Sequence, residues 1–103
     1  MSVTLKAGLA TEIVTGGTAV LVVPAGAAGG FITNPFNSDD QGLGASENLY
    51  VGPITQPGST PGQGNGTTFV VFPGGSWPVI ANQDTPTYVN AASSGHKFSA
   101  IYW

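Results

Sequence analysis

The sequence predicts an all-β chain, a small β-sandwich or jelly roll of about eight short strands forming one domain over residues 1–103. Three features carry that expectation. Sixteen Gly and eight Pro are spread so evenly that no stretch between consecutive ones exceeds eight residues, whereas an average helix takes about 11 to 12. The intervening stretches are rich in Val, Ile, Thr and aromatic residues, which suit a pleated surface. Turn-forming clusters of Gly, Pro, Asn and Ser separate them.

In chain order, the first strand is expected over residues 3–9. Val3, Leu5, Ala7 and Leu9 alternate with Thr4, Lys6 and Gly8, the pattern of a strand half-buried through its apolar side. A short strand over 11–14 follows. Thr18-Ala-Val-Leu-Val-Val23 and Thr67-Thr-Phe-Val-Val-Phe72 do not alternate, so both faces of each are expected to be covered, as in core strands. Between them lie strands over 29–34 and 48–54. Pro73-Gly-Gly-Ser76 is a turn leading into a strand over 76–81, where Pro78 removes one ladder donor and predicts an edge or bulge. Strands over 87–91 and 96–103 complete the set. In the last one Phe98, Ala100 and Tyr102 face one way, Ile101 and Trp103 the other. The long connections 35–47 and 55–66 have the length of functional or mobile loops.

Charge narrows the function. The chain is 7% charged, with two Lys, no Arg, five acidic residues and a net charge of −3; an ordinary soluble domain is about 25% charged. Two cations cannot neutralise a run of phosphates, which argues against nucleic-acid partners and against a polybasic membrane contact. Polarity comes instead from 29 Ser, Thr, Asn and Gln residues. With no Cys, a small core has neither disulfides nor a thiolate metal site, so stability falls to packing or subunit association. The apolar run 19–25 is far shorter than the roughly 20 residues of a membrane span. Lys6 followed by Ala7-Gly-Leu-Ala-Thr-Glu12 does not read as a secretory signal, so the product is expected to stay where it is made.

The inventory of reactive side chains is thin. His96 is the only His; Ser93 and Ser94 are close and Asp84 is the nearest acid in sequence, but there is no Gly-x-Ser-x-Gly elbow. His96 is therefore expected at a strand edge, in solvent or bonded to backbone, and no enzymatic activity is expected. Asp39, Asp40 and Glu47 could offer oxygen ligands to a hard cation, yet they match no Asp-x-Asp-x-Asp-Gly loop. They read as solvated acids, with no metal and no cofactor. Gly62-Gln-Gly-Asn-Gly66 lacks the Lys-Ser/Thr of a phosphate loop and reads as a flexible tip, and Asn65-Gly66 as a turn. Tyr50, Trp77, Tyr88, Tyr102 and Trp103 could stack on sugars or anchor an interface, while Phe69 and Phe98 suit a core. Trp77, Tyr88, Tyr102 and Trp103 are the candidate interface residues.

Phe31-Ile-Thr-Asn-Pro35, Asn48-Leu-Tyr-Val51, Gly66-Thr-Thr-Phe69, Pro73-Gly-Gly-Ser-Trp77 and above all Thr85-Pro-Thr-Tyr-Val-Asn-Ala-Ala-Ser-Ser-Gly-His-Lys-Phe98 give the chain a likeness. Over roughly residues 29–103 it resembles small bacteriophage virion proteins of the kind that decorate or cement a capsid. The resemblance implies a sandwich or jelly roll that forms homo-oligomers, for example trimers, and binds the major capsid protein. It also implies synthesis in the host cytoplasm and a place on the capsid surface. It brings no catalytic residue. The rival expectations are a carbohydrate-binding or adhesin-like module using the same aromatics, and a component of a phage tail or fibre.

Overall fold

The computed structural model describes residues 3–35, 47–54, 56–57 and 67–103. Among the described residues there are ten short strands and no helix: β1 (Lys6–Ala7), β2 (Glu12–Ile13), β3 (Val20–Val23), β4 (Gly30–Thr33), β5 (Leu49–Gly52), β6 (Phe69–Val71), β7 (Ser76–Val79), β8 (Thr87–Asn90), β9 (His96–Lys97) and β10 (Ser99–Tyr102). All pairings are antiparallel. One four-stranded sheet has the order β1-β10-β4-β7, a second the order β3-β8-β5-β6, and β2 and β9 form a two-stranded ribbon. The all-β sandwich expected from the sequence is what the chain forms. The expected flexible tip at 62–66 and most of both long loops lie outside the described residues.

One core lies between the sheets. The first sheet contributes Ile32, Val79 and Ala100; the second contributes Val22, Val23, Leu49, Val51, Val71 and Val89; the ribbon adds Ile13. Strand alternation sorts these residues. Ala100, Ile32 and Trp77 are in register across β10, β4 and β7, and Val89, Val51 and Phe69 across β8, β5 and β6, so each row points to a single side. Burying a Val, Leu or Ile side chain contributes about 1.5–3 kcal/mol, and a chain without disulfides depends on that term.

Every expected strand contains an observed one, usually shorter. The last expected strand splits at Phe98, whose amide bonds to the Thr11 carbonyl at 3.0 Å and whose ring is buried in the core. There the chain passes from the ribbon to the first sheet. Pro78 sits on β7, an edge strand, where a missing donor costs nothing. The Pro73-Gly74 turn also forms, but it carries the chain from one sheet to the other, since β6 pairs with β5 and β7 with β4.

Two expectations about burial are corrected. The non-alternating stretches became β3 and β6, which are the edges of the second sheet, whereas its centre is β8 and the fully buried β5. In β3 the adjacent buried pair Val22 and Val23 arises from a register shift between Leu21 and Val23, because a bulge lets neighbouring side chains leave strict alternation. In β6 Phe69, expected in the core, is instead 41% exposed and reaches Trp77 on β7, with ring centroids 4.8 Å apart and planes tilted by 31°. This pair closes the open side between two edge strands. The second correction concerns the first strand: Val3, Leu5, Ala7 and Leu9 are exposed, not buried. The side that turns inward carries Gly8, where an added Cβ would lie 2.7 Å from the Ala100 Cβ and 3.2 Å from Val22.

That approach predicts the response to substitution. Gly8→Val places a branched side chain where even a methyl group forces a shift, so stability in urea denaturation is expected to drop by about 1–3 kcal/mol. An unchanged midpoint would mean that Gly8 does not set the distance between β1 and the core.

Candidate functional site

Two features stand out beyond the core: a buried polar cluster and an uncharged sheet face. The cluster is built on Asn34, just past the end of β4 and completely buried. Its Nδ2 donates to the carbonyls of Glu47 (3.0 Å) and Val71 (2.9 Å), which leaves Oδ1 facing His96 Nε2 at 2.9 Å. With Nδ2 committed to two acceptors, Oδ1 must accept, so His96 donates from Nε2. The other ring nitrogen, Nδ1, faces Glu47 Oε2 at 3.6 Å, and neither atom has a hydrogen-bond partner. Glu47 Oε1 accepts from the Ser93 hydroxyl at 2.8 Å.

Ser93, Glu47 and His96 are thus brought together, but not as a nucleophile relay. The serine donates to the carboxylate instead of the imidazole, and the imidazole nitrogen left free of a proton, Nδ1, faces the Glu47 carboxylate from a fully buried ring. The cluster overturns two readings of the sequence. His96 is not at a solvated edge; pairing with Ile13 puts it in the ribbon with a fully buried side chain. Glu47 is not a freely solvated acid, while Asp39 and Asp40 lie outside the described residues. Among the described residues no group of three or more His, Asp or Glu could hold a metal ion.

Burial lowers the His96 pKa from its ordinary value of 6.5, against a weaker opposite pull from the Glu47 carboxylate. The unfolded chain therefore takes up this proton at a higher pH than the folded one. The contribution to stability is fully present above pH 6.5 and is lost as pH falls through the lowered folded value.

The uncharged face is the outer side of the first sheet. In register across its four strands stand Ala7, Ile101, Phe31 and Pro78, all exposed. Two residues along, the same side carries Leu5, Trp103 and Ile80 by alternation. Trp103 continues the ladder by exchanging backbone bonds with Gly29, and its indole lies over Gly29, where a Cβ would come within 2.7 Å of the ring. The Phe31 and Trp103 ring centroids are 6.0 Å apart. On the other flank Ser99, Thr33 and Ser76 form a hydroxyl row, with Thr33 and Ser76 hydrogen-bonded at 3.0 Å. A groove of about 200 Å³ runs between the rows, lined by Phe31, Thr33, Ser99, Ala100 and Ile101. None of these residues is charged.

The four candidate aromatics do not share a site. Trp103 belongs to this face. Trp77 is half-buried against the core and Phe69. Tyr102 packs partly on the core, with the Lys6 ammonium 5.6 Å from its ring centroid. Tyr88 stands on the outer side of the second sheet, between Leu21 and Gly52. Phe31 and Ile80 were not singled out in the sequence; the signal that could have found Phe31 is its alternation with the buried Ile32. Compared with protein-family models, curated proteins and solved structures, the chain matches none.

The cluster makes a pH test possible. Acidification from pH 8 to 5 is expected to lower the urea midpoint of the wild type more than that of His96→Gln, which keeps a donor but cannot ionise; equal losses in the two proteins would show that His96 is not the titrating group. Asn34→Ala strands His96 Nε2 and two carbonyls, with an expected cost of about 2–3 kcal/mol in the same assay.

Proposed function

We propose that this chain is a structural virion protein, a cement or decoration protein that binds and stabilises a shell of major capsid protein. The observation that carries the reading is the uncharged apolar face of the first sheet on a chain with only seven charged residues. Exposed apolar patches rimmed by polar residues often mark interaction sites, so such a face is suited to burial in an assembly. The resemblance of residues 29–103 to capsid decoration proteins supplies the class of partner. No residue is assigned a catalytic role.

A protein of this kind acts by bridging. Each contact with the shell can be weak, because linking several contacts in one homo-oligomer raises the effective concentration of those not yet made. Neutral hydroxyl and amide groups suit the task, since burying them against a partner strips no water from an ion. The edge strands offer backbone that could extend a neighbouring sheet.

Co-sedimentation with capsid shells from the phage that encodes the chain tests the reading. Binding that saturates at a fixed ratio to shell subunits, with the shells gaining resistance to heat, is the expected result. A protein that remains in the supernatant with matching shells contradicts it. Labelled particles in electron microscopy would place the protein on heads; labelling of tails or fibres would move it to that class. Specific retention of one glycan on an array, lost on Trp77→Ala or Tyr88→Ala, would favour the carbohydrate-binding alternative.

A further inference from the structure

Asn34, His96 and Glu47 leave one position in the interior where a single proton is missing. Asn34 Nδ2 donates to two carbonyls, so Oδ1 accepts and His96 Nε2 carries the ring proton. His96 Nδ1 is then a bare acceptor, and it faces another acceptor, Glu47 Oε2, at 3.6 Å. Both atoms are buried and neither has a hydrogen-bond partner. The gap is too long for a hydrogen bond and too short for a bridging water, whose two partners would stand about 4.5 Å apart. We propose that this gap is a one-proton switch: a proton taken from solvent binds between Nδ1 and Oε2 and ties Glu47, just before β5, to the ribbon strand β9. The switch is independent of the proposed virion role.

Its two halves differ in freedom. The His96 ring is fully buried, Asn34 holds its Nε2, and its strand pairs with β2 and is tied further by the Gly95 amide, which donates to the Ile13 carbonyl at 2.7 Å. The Glu47 side chain keeps 29% of its surface in solvent, and its Oε1 accepts from the Ser93 hydroxyl. Glu47 is therefore the part that moves. Without the proton, lone pairs face each other and the carboxylate is free to turn toward water. With it, Nδ1–H donates to the carboxylate and the pair closes to about 2.7–2.9 Å, the span of a charge-assisted bond.

The surroundings set the pH range. β2 places Ile13 opposite His96, the end of β4 supplies Asn34, and the turn after β8 brings Ser93 to the carboxylate. Among the described residues Glu47 is the one ionic partner of the ring. The other two ribbon charges, Glu12 and Lys97, are paired one position along, on the opposite side of the strands. Burial opposes a charge on the ring more strongly than the carboxylate favours it, so the switch closes below pH 6.5, in acid. The unfolded chain takes the proton more readily, so acid closes the switch while it narrows the margin of global stability.

NMR of the isotope-labelled full chain, followed from roughly pH 8 to 4, tests this. At the alkaline end His96 is expected as the tautomer protonated on Nε2 alone. On acidification Nδ1 gains a proton, and the Glu47 carboxyl carbon shifts at the same midpoint, because the two groups titrate as one pair. Glu47→Gln, whose amide can donate to Nδ1 with no proton from solvent, is expected to move the His96 midpoint to lower pH. The first two readouts need only the wild type, so they decide the matter even if Glu47→Gln unfolds. A ring protonated on Nδ1 at the alkaline end, a chain that unfolds or stays neutral at His96 throughout, a Glu47 signal that does not follow His96, or a Glu47→Gln midpoint equal to or above that of the wild type would each overturn the inference.

Discussion

A single neutral side chain, the buried amide of Asn34, ties together five parts of this fold. Its side chain reaches the carbonyls of Glu47 and Val71 and the His96 ring, while its backbone accepts from Gly74 and donates to Gly75. One residue therefore links the end of β4, the approach to β5, the strand β6, the turn into β7 and the ribbon strand β9. Five satisfied hydrogen bonds make a buried polar group acceptable in a core, where an unmet one costs about 1–3 kcal/mol. Gln83 and Asn90 repeat the device on the second sheet. Gln83 Nε2 lies 3.1 Å from the Pro53 carbonyl and 2.7 Å from that of Thr85, and Asn90 Nδ2 donates to the Pro57 carbonyl at 2.9 Å. The stretch after β5 is thereby held against β8.

This use of amides explains how a chain with seven charges is polar yet orderly. Amides and hydroxyls can satisfy backbone carbonyls inside the fold at a far lower desolvation cost than ions. Among the described residues, His96 beside Glu47 brings an acid and a base together in the interior, and there two facing polar atoms lack hydrogen-bond partners. The same economy extends to the surface. Because the strands alternate, whatever is not in the core row faces outward, and on the first sheet that outward row is Ala7, Ile101, Phe31 and Pro78. The inner and outer sides of this sheet are thus both apolar, and among the described residues only the inner one packs against a second sheet.

Much of the architecture was legible in the residues. Gly and Pro spacing located the strands, Pro78 marked an edge, and alternation placed Ile101 and Trp103 opposite Ala100 and Tyr102. What failed did so for physical reasons. Alternation in Val3, Leu5, Ala7 and Leu9 identifies a side but not which way it points; that was decided by Gly8, which alone is small enough to approach Ala100. The non-alternating Val22–Val23 pair comes from a bulge, which no periodicity reveals. The polar cluster was invisible because Asn34, Glu47, Ser93 and His96 are brought together by sheet pairing across up to 62 positions. The apolar outer face escaped notice because exposed and buried aliphatic residues look alike in a sequence.

The central claim is that this nearly uncharged chain associates by burying an apolar face instead of matching charges. Its binding constant for capsid shells measured across a salt series, from roughly 50 mM to 1 M NaCl, tests that claim most directly, since screening weakens charge pairs and leaves apolar burial intact. A constant that stays flat or tightens slightly is the predicted result. Weakening by about tenfold or more over that range would mean that ion pairs hold the assembly, and would contradict the account.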